Sequence, residues 1–278
     1  MPRRLRLDAE LVRRGLARSR EHASELIVAK RVKVAGAVAT KPATGVSTDV
    51  ALVVVGDPDR PDYVSRGGHK LAGALAVFEP LGLSVKGRRC LDAGASTGGF
   101  TDVLLRAGAA GVVAVDVGYG QLAWALRQDD RVTVHDRTNI RDLTPEIVDG
   151  RVDVVVGDLS FISLDLVLDA LVGVTEDDGD LALMVKPQFE VGKDHVGKGG
   201  VVRDLDLRAS AVIAVAAAGD RRGWGAQAVT TSPLPGPSGN VEYFLWFRKA
   251  GARVSEDQIR DEVRRTADLG APGEKVGP

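Results

Sequence analysis

The sequence predicts an α/β protein, a doubly wound and mostly parallel sheet preceded by a small N-terminal α+β module. Three observations carry that reading. From Gly87 onward, short apolar runs alternate with helix-length amphipathic segments, the pattern of strands buried between helical layers. The run Leu91–Ala109, "LDAGASTGGFTDVLLRAGA", enters as a strand, turns through glycines and leaves as an amphipathic helix, the arrangement that places ligands at the carboxyl edge of such sheets. Residues 1–60 hold 12 Lys+Arg against 7 Asp+Glu, a net of +5, while the remainder nets −6. A basic front module on an acidic body suggests that the module meets a polyanion. A merely solvated basic surface is the alternative.

Within that module, Leu7, Leu11, Val12 and Leu16 form a helical stripe over 7–16 that Gly15 interrupts near its end. Ser19 is the expected cap of a second helix in "SREHASELIVAKR", with Glu21 in its first turn and Lys30 and Arg31 in its last. "VKVAGAVATKPATGVSTDVALVVV" alternates and is punctuated by Gly36, Pro42 and Gly45, as short strands joined by turns are. The stretch "GDPDRPDYV", with two prolines and three aspartates, separates this module (1–60) from a second domain, residues 61–64 being the linker itself. The second domain spans 65–250. Its strands are "RRCLDAG", "GVVAVDVG", "RVTVHD", "RVDVVVGDLS" and "LALMVKPQF", and the late run "EYFLWFRK" alternates like a final hairpin strand. Beyond Ala250 the chain is charged; "SEDQIRDEVRRTADL" reads as one helix and "GAPGEKVGP" as a disordered tail, together 251–278.

Several classes are disfavoured. No apolar run reaches about 18 residues, so a membrane span is not expected. The N-terminus has charge but no apolar core of a secretory signal. The single cysteine, Cys90, leaves no disulfide framework and fits a reducing, cytoplasmic setting. His22, His69, His135 and His195 are scattered without ligand spacing, so no metal is expected.

The glycine turn narrows the ligand. A phosphate loop needs a lysine after its glycines, and here Gly98 is followed by Gly-Phe-Thr. A nicotinamide fingerprint fails at its second glycine, because Gly94 is followed by Ala95 and Ser96. What remains, Asp-x-Gly-x-x-x-Gly-Gly at a strand end, resembles the cofactor loop of S-adenosylmethionine-dependent methyltransferases. The expected cofactor-binding residues are therefore Asp92, Gly94, Ala95, Ser96, Thr97, Gly98, Gly99 and Phe100. Glycine at 94 and 98 lets backbone approach a ligand closely, and Asp92 offers a carboxylate toward an ammonium, directly or by orienting the loop. Asp116 ends the next strand, where an acid accepts from ribose hydroxyls. Asp136 ends the third, placed for an adenine amino group. Each acid alone could be a turn residue or a helix cap.

Two further strand ends carry charge. Asp158 follows the fourth strand, and Lys186 follows the fifth, just before a proline. A snorkelling surface lysine is the alternative at 186. Lys70 lies in "SRGGHKL" and Glu242 in "PLPGPSGNVEYF". Together Lys70, Asp158, Lys186 and Glu242 resemble, in order and context, the K-D-K-E tetrad of FtsJ-like ribose 2′-O-methyltransferases. "RLDAELVRRGLARSREHASELI", "SRGGHKL", "DVGYGQL", "DLSFISL", "VKPQFEVG" and "PLPGPSGNVEYF" resemble the TlyA family more closely still. The likeness covers nearly the whole chain, apart from Asp57–Tyr63 and the tail after Lys249.

The resemblance implies an S-four-type RNA-binding domain joined to a Rossmann-like class I methyltransferase domain with a mostly parallel seven-stranded sheet. It implies S-adenosyl-L-methionine as cofactor and 2′-O-methylation of cytidine in ribosomal RNA within ribosomal subunits. In the mycobacterial branch it implies targets in both subunits on which the drug capreomycin depends. The tetrad is then catalytic, with Lys186 assisting loss of the hydroxyl proton, as a base or by orienting the oxygen. Asp158 and Glu242 would orient the lysines. Arg4, Arg6, Arg14, Arg18, Arg20, Lys30, Arg31 and Lys33 are expected to contact RNA phosphates. Lys193, Lys198 and Arg203 would clamp the substrate from the loop "FEVGKDHVGKGGVVRD", which is otherwise a flexible solvated loop. Neither stable membrane association nor an obligate protein partner is expected. A non-catalytic ribosome-assembly factor and a membrane-active haemolysin are the rival readings. The intact loop and tetrad count against the first and the lack of a span against the second.

Overall fold

The computed structural model describes residues 4–17, 19–55 and 61–267. The chain divides into two compact units, 1–64 and 65–278.

The first unit runs β1 (Arg4–Arg6), α1 (Leu7–Arg13), α2 (Arg20–Val28), β2 (Val32–Val34), β3 (Ala37–Val38), β4 (Gly45–Ser47) and β5 (Leu52–Val54). β1 pairs with β4, and β2 lies between β3 and β5, all antiparallel. Leu7, Leu11, Ala23, Leu26, Ile27, Val32 and Val46 form the core. Gly15, at φ 70°, supplies the break after α1. Ser19 caps α2 by accepting from the His22 amide at 3.1 Å. The expected basic last turn of α2 is not found: the helix stops at Val28. Lys30 instead takes a left-handed φ of 59°, its amide donating to Ile27 and that of Arg31 to Leu26. This is a Schellman closure with lysine where glycine is usual, and it ends the helix before the charges.

The second unit starts with α3 (Arg66–Phe78) and continues β6 (Arg89–Ala93), α4 (Gly99–Arg106), β7 (Gly111–Val115), α5 (Trp124–Arg127), β8 (Val132–His135) and β9 (Val152–Gly157). Then come α6 (Leu168–Gly173), β10 (Thr175–Val185), α7 (Pro187–Glu190), α8 (Leu205–Arg221), β11 (Gly225–Thr231), β12 (Tyr243–Arg248) and α9 (Glu256–Arg265). The seven strands lie in the order β11-β12-β10-β9-β6-β7-β8. β6 to β10 pair in parallel, and β12 is antiparallel to both its neighbours. Runs such as Val112–Val115 and Val152–Val156 are apolar on both faces because helices cover both. Strand order reverses between β6 and β9, which opens a crevice beyond their carboxyl ends.

The C-terminal helix is not an appendage outside the domain. α9 packs on α8 and β11, and Ile259 and Val263, one turn apart, enter the main core. Glu262 Oε1 also accepts from the amide and hydroxyl of Thr231, at 2.7 and 2.8 Å. Two apolar residues in a charged helix were too few to show this in the sequence. The tail expected to be disordered lies outside the described residues.

Candidate active site

Sheet order explains how four distant residues converge. β12, β10 and β9 are neighbours, and because β12 runs backwards its start lies beside the ends of the other two. Glu242 precedes β12, Lys186 follows β10, and Asp158 follows β9. Lys70 comes from the second turn of α3. Lys70 Nζ donates to Glu242 Oε2 at 2.5 Å, and Lys186 Nζ sits 2.6 Å from Asp158 Oδ1 and donates to Ser160 Oγ at 2.7 Å. Lys70, Lys186 and Glu242 are all buried. Buried charges of this kind persist only when paired, and each lysine here has its own carboxylate.

The glycine loop joins β6 to α4. Gly94 and Gly98 have φ of 85° and 96°, which glycine adopts without strain. Their missing side chains also make room for neighbouring protein. A Cβ on Gly94 would lie 3.0 Å from Leu159, one on Gly98 2.8 Å from Leu122, and one on Gly99 2.8 Å from the Gly68 amide. They let the loop nest against α3 and the segments after β7 and β9, while Gly94 and Gly99 also line the cavities.

The acids at the strand ends differ. Asp116 Oδ2 accepts from the Ser96 amide at 2.8 Å and Oδ1 from the Gly118 amide at 2.6 Å, which locks the loop to the end of β7. Asp92 is fully buried beneath the loop and accepts from Thr101 Oγ1 at 2.7 Å, while its Oδ1 has no partner. Burial, chiefly, pushes the Asp92 carboxyl up to about 7. It orients from below and does not line the cavities. Asp136 is turned aside into an ion pair with Arg127 at 2.9 Å. Asn139 and Ile140, a few residues further on, line the crevice.

Three contiguous cavities fill the carboxyl edge. One of about 450 Å³ is walled by Val117, Ile140, Leu159, Ile162 and Val167, with Asp116, Gln121 and Asn139 as polar groups. The next, about 210 Å³, is lined by Lys70, Asp158, Arg66 and the loop residues Gly94, Ala95, Ser96, Thr97, Gly99 and Phe100. The third, about 390 Å³, contains Lys186 and Glu242. An apolar slot with a carboxylate at its rim, opening onto a paired carboxylate and lysine, fits a nucleoside joined to an amino acid. Among the lining residues, Ser160, Asn139 and Arg66 were not foreseen. Ser160 was legible two residues after Asp158, and Arg66 one helical turn before Lys70; nothing local marked Asn139. Behind the site, Glu190 clamps the two catalytic loops together, accepting from Ser163 Oγ at 2.6 Å and the Leu164 amide at 2.9 Å. Burial raises the Glu190 carboxyl.

The expected RNA contacts also divide. Arg4, Lys30 and Lys33 are exposed on the first unit. Arg6 and Arg20 are exposed but both bind the buried Asp8 carboxylate. Arg14 is turned inward, to Glu10 and to the carbonyls of Val50 and Thr48, so its guanidinium is structural. Arg31 donates to the Val55 carbonyl. Arg18 lies outside the described residues. In the second unit Lys198 and Arg203 are exposed on a loop closed by a Gly197–Val201 bridge. Lys193 begins a single helical turn in the same loop.

A doubly wound sheet with an inverted penultimate strand, and a cleft of this make-up at its switch point, defines a Rossmann-like methyltransferase. The comparisons agree. The FtsJ-like methyltransferase model matches residues 63–249 and the S4 domain model residues 5–50. The 16S/23S rRNA (cytidine-2′-O)-methyltransferase TlyA of Mycobacterium tuberculosis is 61% identical over 97% of this chain and 100% of its own. The 23S rRNA (cytidine-2′-O)-methyltransferase TlyA of Campylobacter jejuni is 36% identical over 67% of this chain and 71% of its own. A hemolysin-named structure from Streptococcus thermophilus matches with a TM-score of 0.72 at 36% identity, covering 97% of both chains. The chain belongs to the TlyA family of FtsJ-like RNA methyltransferases.

Proposed function

We propose that this protein methylates the 2′-hydroxyl of cytidine in ribosomal RNA, within ribosomal subunits in the cytoplasm, using S-adenosyl-L-methionine. The observation that supports it most is the pair of buried lysine–carboxylate contacts at the mouth of a nucleoside-shaped crevice. Relatives carrying that named activity match along the chain.

On this reading the larger cavity takes the adenosine. Asp116 keeps lone pairs for the ribose diol, while Asn139 rather than Asp136 faces the adenine. Lys70, Asp158 and the loop from Gly94 to Phe100 hold the methionine part. The sulfonium supplies an already activated methyl group, so positioning carries much of the acceleration. A 2′-hydroxyl is a poor nucleophile until its proton begins to leave. Lys186 Nζ donates to Ser160 and is ion-paired with Asp158; toward the ribose oxygen it would take the hydroxyl proton as the free amine, or orient and stabilise the oxygen as the ammonium. Glu242 fixes Lys70 beside it, so neither cation is left uncompensated. The exposed Arg4, Lys30 and Lys33 then anchor RNA through phosphates, which position without specifying sequence.

The test maps 2′-O-methyl groups on rRNA from cells with and without the protein. One or more cytidines, in one or both subunits, should lose the modification. Lys186→Ala should fail to restore it while its cofactor affinity stays within a few-fold. An unchanged map overturns the reading.

A further inference from the structure

The third cavity, of about 390 Å³, is bounded at its reactive end by Lys186 and Glu242 and on its sides by Phe161 and Phe189. The two rings lie 5.1 Å apart and are tilted by 48°. Most of its polar groups are already committed. Asn240 spends its oxygen on the Val202 amide and its NH2 on the Gly200 carbonyl. Glu242 holds Lys70, and Ser160 accepts from Lys186. Gln188 differs from these, because its carboxamide oxygen is buried without any donor. A buried acceptor with no partner bears a desolvation cost that a ligand's N–H would relieve.

The position of that oxygen limits what the donor can be. Gln188 is two residues beyond Lys186, with only Pro187 between them, so their Cα atoms are at most about 7 Å apart. Side chains rooted so close together and lining one cavity can reach a single nucleotide, Lys186 at its ribose 2′-oxygen and Gln188 at its base. The hydrogen-bonding groups a pyrimidine offers such a side chain lie along its Watson–Crick edge. Cytosine presents there an amino donor beside a ring-nitrogen acceptor, the complement of a carboxamide. Uracil presents a carbonyl, acceptor against acceptor.

We propose that Gln188 reads the base of the target nucleotide, its side-chain oxygen accepting from the 4-amino group of cytosine and its NH2 donating to N3. The inference rests on the 2′-O-methylation reading above and adds to it the group that selects the base. Gln188 is a specificity residue, and it does not touch the transferred methyl. A site built to bond one polar group rejects the analogue that lacks it far more strongly than one relying on shape.

The experiment uses ribosomal subunits reconstituted with rRNA that carries, at the mapped target, either cytidine or its analogue without the 4-amino group (2-pyrimidinone riboside). Methyl transfer is measured for the wild type, Gln188→Met and Gln188→Glu, with cofactor affinity determined in parallel to show that each variant is folded. The wild type should prefer cytidine by about tenfold or more in kcat/KM. Gln188→Met should lose that preference through a slower reaction on cytidine. Gln188→Glu keeps an acceptor toward the amino group and should retain much of the preference. Equal rates of the wild type on the two RNAs, or an undiminished preference in Gln188→Met, overturn the inference while leaving 2′-O-methylation intact. No transfer to the cytidine RNA by the wild type overturns both readings together.

Discussion

Among single residues, the acids of the cofactor edge behave as three different things despite similar positions at strand ends. Asp116 is a backbone clamp, Asp136 is half of an ion pair, and Asp92 is a buried carboxyl raised to about 7 by its surroundings. An unfolded aspartate titrates near 4. Between that value and about 7 the folded unit therefore keeps a proton that the unfolded chain has released, so stability falls as pH rises through this window and levels off above it. Asp92→Asn should flatten the trend: thermal unfolding at pH 5 and pH 8 should differ by less in the variant than in the wild type. Sequence position alone could not separate these roles. Each depends on a neighbour across a turn or strand, Arg127 for Asp136 and Thr101 for Asp92, and no local pattern announces such neighbours. The same holds for Arg14, whose basic charge suggested RNA while its inward contacts are made with carbonyls 34 and 36 residues away.

At the scale of elements, the loop before β12 decides whether Glu242 reaches Lys70. A Cβ on Gly236 would stand 2.6 Å from Glu242 Oε1, closer than real carbons approach. Gly236→Ala should therefore displace the carboxylate and lower kcat by about tenfold or more, an effect worth roughly 1.4 kcal/mol. The glycine is itself buried, so the melting temperature is measured in parallel and kcat is read at a temperature where the variant is folded. An unaltered kcat would show that the Lys70–Glu242 contact tolerates displacement. Six of the seven strands of the large sheet were legible, most of them as continuous apolar runs; the edge strand β11, "GAQAVTT", was not, because its short run is broken by Gln227 and ends in threonines. The packing of the last helix was hidden too: its core contribution is Ile259 and Val263 alone, and charge masks such a short stripe. The glycines were legible as a loop, whereas the close packing of Gly98 and Gly99 on neighbouring segments was not.

For the molecule as a whole, the buried carboxyls of the first unit, Asp8 and Glu10, are held down by arginines, whereas the second unit mixes raised carboxyls, Asp92 and Glu190, with lowered ones such as Asp129. In the first, the Arg6 and Arg20 guanidinium groups hold Asp8 down to about 2, and Arg13 with Arg14 does the same for Glu10. Carboxyls lowered in the folded state contribute stability above their unfolded values near 4, and that contribution is lost as pH falls toward 2. Acid titration followed by amide exchange should therefore open residues 4–55 at a higher pH than the sheet of the second unit. Simultaneous opening would refute the assignment. The division into two units was readable from the switch in composition and the proline-aspartate stretch between them. Among the described residues, no helix is long and apolar enough to cross a membrane.

The Lys70–Glu242 contact has a kinetic meaning as well. Its partners are 172 residues apart, so it closes a very long loop and can form only once nearly every strand is seated. A chain stalled short of its inverted strand would still present the glycine turn but would leave one lysine with no counter-charge. Competence therefore arrives late and all at once, and in a denaturant series turnover should vanish at the same midpoint as the near-ultraviolet signature of Trp246 and Trp224.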